Sequence, residues 1–195
     1  MPYTLNSLSD SCYEGTSVLI NKFDIHDEKQ LEIIEQGITS AMIAKALIEL
    51  PFENVDFEFY KSLHRYVFED IYEWAGQTRN VNMSKKGTNF CGCDNIEETG
   101  KKIFDKLKQS IYLKDFDGTD FIDEFTDLYC ILNYLHPYRE GNGRIQRLFL
   151  SMLLKNMGKN IDFSIIDKDL FMIATIKSVS GDVFALRDIF KENIK

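Results

Sequence analysis

The chain has 195 residues, 44% hydrophobic and 28% charged, the make-up of one ordinary globular domain spanning residues 1–195 around a single core. Its net charge of -8 argues against nucleic acid as a partner. No apolar run approaches the roughly 18 residues of a membrane span, and Met1-Pro-Tyr-Thr opens without the basic-then-apolar order of a secretory signal.

Residues 1–26 read as an irregular polar segment with a turn at Glu14-Gly15. From Asp27, an N-cap, a helix runs toward Leu50 with Leu31, Ile34, Ile38, Met42 and Ala46 on its buried stripe, and Pro51 stops it. A second helix is predicted over 56–74, with Phe59, Leu63, Val67, Ile71 and Trp74 inward, closing at Ala75-Gly76. Residues 78–95 differ. Arg79-Asn-Val-Asn-Met83 alternates, Ser84-Lys-Lys-Gly87 turns, and Thr88-Asn-Phe-Cys91 alternates again, which predicts one β-hairpin. An amphipathic helix over 95–113 follows, carrying Ile96, Ile103, Phe104, Leu107 and Ile111.

After the loop at 115–119, Phe121, Phe125, Leu128, Leu132 and Leu135 recur at steps of three and four, one buried helix face. Downstream, Leu148, Phe149, Leu150, Met152, Leu153 and Leu154 put apolar groups almost all round, which marks a central helix. Two more helices are expected at 167–177 and 182–193. The fold class is therefore all-α: a helical bundle around a central helical hairpin, with one short β-hairpin. Cys12, Cys91, Cys93 and Cys130 give only one close pair, Cys-x-Cys, and no zinc framework; free thiols in a cytoplasmic protein are the expectation.

The tip of the central hairpin, residues 136–147, is His-Pro-Tyr-Arg-Glu-Gly-Asn-Gly-Arg-Ile-Gln-Arg. Asn142 is a good N-cap, so a helix should start near Gly141-Asn142 with its first amides unpaired. Those amides and the helix dipole make an anion site that Gly141 and Gly143 leave uncovered. Arg144 and Arg147 are three apart, on one face, and can fork onto phosphate oxygens. Glu140 beside them makes sense as the holder of a Mg²⁺ that bridges phosphates. His136 is the group that can accept a proton near neutral pH. Together these predict transfer of a phosphate-containing group from a nucleotide to a hydroxyl. His64, among apolar neighbours, is expected to be a satisfied structural histidine, and Arg139 receives no role.

At these residues the chain resembles the Fic proteins, whose signature is His-Pro-Phe-x-(Asp or Glu)-Gly-Asn-Gly-Arg-x-x-Arg. Only Tyr138 departs, and it stays aromatic. The resemblance implies a Fic, or Fido, fold and AMPylation: AMP passes from ATP, with Mg²⁺, to a Ser, Thr or Tyr hydroxyl of a target protein. By position, His136 resembles the general base and Glu140 the metal ligand. Gly141, Asn142, Gly143 and Arg144 resemble the phosphate cradle, and Arg147 the arginine that meets the γ-phosphate. Pro137 and Tyr138 would be structural. Tyr72-x-Trp-Ala-Gly-x-x-Arg79 resembles the approach to the family's flap. That assigns Lys86, Gly87, Thr88, Asn89 and Phe90 to the edge on which a target segment lies. Two alternatives are phosphoryl transfer, as in Doc toxins, and a non-catalytic domain on the same scaffold; the intact signature favours neither.

Many Fic proteins carry an inhibitory helix marked (Ser or Thr)-x-x-x-Glu-(Gly or Asn). No Ser or Thr here is followed four residues later by Glu, and the nearest matches, ending at Glu14-Gly15 and Glu192-Asn193, begin with Asp. The expectation is a small helical antitoxin that supplies the glutamate in trans.

Overall fold

The computed structural model describes residues 4–5, 11–85 and 88–195. In chain order the elements are β1 (Thr4–Leu5), α1 (Glu28–Glu49), α2 (Phe57–Phe68), β2 (Met83–Lys85), β3 (Thr88–Asn89), α3 (Ile96–Gln109), α4 (Gly118–Leu135), α5 (Asn142–Asn156), α6 (Lys168–Ser178) and α7 (Phe184–Asn193). The fold is mostly helical, as the periodicities predict. No helix among the described residues is long and apolar enough to cross a membrane.

Helix α5 lies at the centre. It packs against α1, α2 and α4, and its six apolar residues from Leu148 to Leu154 are all buried. At roughly 1.5–3 kcal/mol per large apolar side chain, their burial contributes on the order of 10 kcal/mol before chain entropy is counted. The rings of Tyr60 and Phe104 meet Phe149 edge-on at 5.4 and 5.3 Å. Helix α7 closes the other side of α4 together with α6.

Helix α1 starts as expected, with the Asp27 carboxylate accepting from the Gln30 amide, and ends before Pro51. Helix α2 is shorter than predicted. It stops at Phe68 and the chain continues in tight turns to Gly76, whose φ is +81°. The break lets the Tyr72 hydroxyl reach Glu35 and the Gly76 amide donate to His64 Nδ1, which a continuous helix would not allow. Helix α3 also ends early, at Gln109. Ile111, Tyr112 and Leu113 take positive φ in a left-handed turn that exposes Ile111 and buries Leu113.

The hairpin exists, but its strands are three and two residues long, shifted toward the turn. Part of that turn, Lys86 and Gly87, lies outside the described residues. The N-terminal segment is less irregular than expected. Strand β1 adds antiparallel to β2, Thr4 opposite Ser84 and Leu5 opposite Met83, making a three-stranded sheet in the order β1-β2-β3. Beyond it, a bridge between Cys12 and Leu19 spans the Glu14-Gly15 turn.

Candidate active site

The site forms where α4 ends and α5 begins. His136 terminates α4 in the left-handed region, φ +40°, and Gly141 precedes α5 with φ +81°. Gly141, not Asn142, is thus the N-cap, a correction with a clear cause. Asn142 is the first helical residue, and its buried amide side chain grips the loop instead. Its Oδ1 accepts from the Tyr138 amide at 2.8 Å and its Nδ2 donates to the Tyr138 carbonyl at 2.7 Å. Tyr138 is fully buried, as expected of a structural residue. Its hydroxyl donates to the Tyr60 carbonyl at 3.0 Å.

The Gly141 amide donates to Glu140 Oε1 at 2.8 Å, while the amides of Asn142 and Gly143 have no acceptor among the described residues. A Cβ on Gly141 would sit 2.3 Å from Phe68 Cζ, so the loop packs too closely for any other residue.

The two arginines are in different states. Arg144 is held on all sides. Its Nη2 lies 2.5 Å from Glu35 Oε1 and 3.3 Å from Glu140 Oε1, and its Nη1 donates to Thr39 Oγ1 at 3.2 Å. Its guanidinium sits 4.9 Å from the Phe68 ring centroid. Arg147 has no hydrogen bond to a side chain and no carboxylate within ion-pair distance among the described residues. Burial, then the neighbouring Arg144, pushes its pKa below the ordinary value. It is a guanidinium with no counter-ion among the described residues.

His136 and His64 are both buried. Burial, followed by the charge of Arg79, pushes His136 down to about 3; one ring nitrogen is hydrogen-bonded to the Asn133 backbone. His136 is therefore neutral at pH 7. Burial likewise pushes His64 down to about 3. His64 accepts the Gly76 amide at Nδ1 and so keeps its proton on Nε2, 3.1 Å from the Glu140 carbonyl. That is the structural role expected of it. It ties α2, the turn after it and the signature loop together.

The flap meets the site through Phe90, whose ring stacks on His136 with centroids 3.7 Å apart. Thr88 is half-buried and Asn89 exposed. Arg139, given no role from sequence, reaches the N-terminal segment at Ser11 Oγ (3.1 Å) and Cys12 Sγ (3.6 Å).

Sequence reasoning missed Glu35 and Thr39. In α1, Leu31, Thr39 and Ala46 are buried, while Glu35 is partly buried, as Ile34 and Ile38 are. Two polar residues four apart inside an apolar stripe were the available signal.

A model of the Fic/DOC family matches residues 54–154, just over half of the chain. The chain belongs to the Fic/DOC family. It is similar to the probable protein adenylyltransferase y4lH of Sinorhizobium fredii, 36% identical over 93% of this chain and 94% of the relative. To the probable protein adenylyltransferase Fic of Escherichia coli it is 30% identical, over 92% of this chain and 89% of that protein. A crystal structure of the BepC protein of Bartonella tribocorum, a VirB-translocated effector with bound AMPPNP, is also similar. It has a TM-score of 0.87 at 27% identity, covering 95% of this chain and 96% of that one. The Fic resemblance of residues 136–147 and the Fic fold are thereby borne out.

Proposed function

We infer that this Fic chain is a protein adenylyltransferase, which moves AMP from ATP to a hydroxyl side chain of a target protein and releases pyrophosphate. One observation carries the reading. The bare amides of Asn142 and Gly143 and the uncompensated Arg147 form an anion site beside a neutral, buried imidazole. The ADP- and AMPPNP-bound neighbours and the relatives' names support a nucleotide substrate and this activity.

In this mechanism the target oxygen attacks the α-phosphorus, the bond to the β-phosphate oxygen breaks, and pyrophosphate leaves toward Arg144 and Arg147. His136 takes the hydroxyl proton on the ring nitrogen not bonded to Asn133. The amides of Asn142 and Gly143 hold phosphate oxygens as charge shifts. The protein contributes position and charge stabilisation rather than covalent chemistry. Flap residues Lys86, Gly87, Thr88, Asn89 and Phe90 border the target, which joins the sheet by strand addition.

The donor set fits a Mg²⁺ ion. Glu140 Oε1 is engaged by the Gly141 amide and Arg144, while Oε2 has no partner among the described residues. One carboxylate plus substrate phosphates is a usual Mg²⁺ environment. Arg144 lies closer to Glu35 than to Glu140 and meets only one oxygen of the Glu140 carboxylate, which leaves the other available. A metal held there would neutralise phosphate charge.

Arg147 also bears on control. Because no described carboxylate pairs with it, and Glu14 and Glu192 are both exposed, we assign inhibition to a separate small helical antitoxin. Its glutamate would compete with the γ-phosphate for this guanidinium.

A single assay tests these readings. The purified chain is incubated with a lysate and ATP labelled on the α- or, separately, the γ-phosphate. Label from the α-position should enter protein, and His136→Ala should lower transfer by about 10²–10⁴-fold while still binding ATP. Label from the γ-position alone would mean phosphoryl transfer instead. A chain inert by itself, yet switched on by Glu14→Gly or Glu192→Gly, would place the inhibitor inside the molecule.

A further inference from the structure

Arg79 is buried, 5% exposed, and no carboxylate pairs with it among the described residues. Its side chain donates instead to three backbone carbonyls from three segments. Nη1 reaches Val81 at 2.7 Å, where the chain enters the flap, and Nη2 reaches Cys91 at 2.5 Å, where the chain leaves it. Nε reaches the carbonyl of His136 at 2.9 Å, and the Arg79 amide donates to the Pro137 carbonyl at 2.8 Å.

A buried cation met only by neutral carbonyls is a poor way to gain stability, because desolvation costs several kcal/mol and an apolar side chain would serve as well. What the guanidinium offers is a rigid planar fork that fixes three carbonyls at set distances. The carbonyl it meets at His136 belongs to the last, left-handed residue of α4, where helical bonding has run out. Two other ties hold the flap's base. The Cys91 amide donates to the Tyr134 carbonyl and the Cys93 amide to Asn82 Oδ1, both at 2.9 Å. Neither touches His136. Among the described residues, Arg79 is the side chain whose hydrogen bonds join both limbs of the flap to His136.

We propose that Arg79 is a positioning residue that sets the distance between the target strand on the flap and the imidazole of His136. The proposal rests on the reading that the target adds to the flap edge. A strand-bound hydroxyl has its place fixed by the flap, so any slip between flap and base becomes a slip between hydroxyl and base. An error of 1 Å in such geometry costs about 10²-fold in rate.

The test uses the full chain with Arg79→Lys and Arg79→Gln, an identified target and α-labelled ATP, reading kcat, KM, ATP affinity and melting temperature. Both variants should bind ATP within about twofold of the parent. Both should lose about 10–10²-fold in kcat for target transfer, with Lys no better than Gln because it lacks the fork. Slow hydrolysis of ATP by water, which needs no docked strand, should persist. Parental kcat in either folded variant overturns the proposal, as does parallel loss of ATP binding or of hydrolysis. A lower melting temperature with unchanged kcat would make Arg79 purely structural. A separate variant judges the underlying reading. The Phe90 amide donates to the Met83 carbonyl, so Ser84 turns its own amide to the other side of β2, where β1 pairs and a target strand would have to displace it. Ser84→Pro should raise the target KM; an unchanged KM refutes strand addition at that edge, whatever the Arg79 variants show.

Discussion

The signature loop and the flap face the same imidazole, yet they are held by very different numbers of side chains. The loop is fixed by side chains from several elements: Tyr138 on the Tyr60 carbonyl, Asn142 on both backbone groups of Tyr138, His64 under Glu140, and Arg144 between Glu35 and Thr39. The flap has strands of three and two residues, and its base is tied to the body by the one side chain of Arg79 and by a few backbone bonds. The difference follows from what each half must meet. A nucleotide presents the same phosphates every time, so preorganised donors give the largest gain. A protein segment brings side chains of its own, and a short sheet with an open edge can accept it through main-chain bonds. Short strands with few buried contacts also open at low free energy.

The largest effect should come from disturbing the rigid half. Gly141→Ala forces a Cβ to within 2.3 Å of Phe68 Cζ at a φ of +81°. Strain in that backbone region and overpacking each cost about 1–3 kcal/mol. We expect a loss of about 2–6 kcal/mol in urea unfolding, with ATP binding abolished. A mild loss with intact binding would show that the loop is more adaptable than its packing implies.

A smaller effect separates the two halves by pH. His64 lies behind the loop and His136 under Phe90, and burial brings both to about 3, against about 6.5 when unfolded. The native state then binds fewer protons than the unfolded chain between these values. Stability therefore falls as pH drops below about 6.5 and stops responding to these groups below about 3. Between pH 7 and pH 5 each imidazole should remove about 2 kcal/mol. Phe90→Ala uncovers His136 but leaves His64 in place, so roughly half of that acid sensitivity should vanish. An unchanged acid response would mean that Phe90 is not what keeps His136 dry.

How far the sequence revealed this arrangement depended on distance along the chain. The groups of the loop fall within residues 136–147, so their spacing could be read directly, and the apolar periods around them located α4 and α5. Glu35 and Thr39 lie 109 and 105 residues from Arg144, and on a helix such polar residues read as surface. Arg79 looked like one end of a motif, because nothing local says that its fork spans three segments. The early end of α2 was hidden for a similar reason: residues 69–74 keep an apolar period, and the contacts that break the helix come from Glu35 and His64. Strand β1 has two residues, too few for alternation to register.

That strand supplies the smallest expected effect and the sharpest test of the flexible half. β1 already occupies the outer side of β2, Thr4 opposite Ser84. If a target segment adds to the same edge, it must displace β1. Two residues make at most a few ladder bonds, each worth about 0.5–1.5 kcal/mol net, and ordering the segment offsets much of that gain. The competition should therefore amount to less than about 1 kcal/mol, or a few-fold in an equilibrium constant. Deleting residues 1–10 keeps Ser11 and Cys12, which contact Arg139, and removes the competing strand. We expect the target KM to fall a few-fold, with kcat and ATP affinity unchanged, measured with α-labelled ATP. A KM that rises would make β1 a support of the flap rather than a competitor. A KM that does not move would place the target on the outer side of β3, beside Asn89.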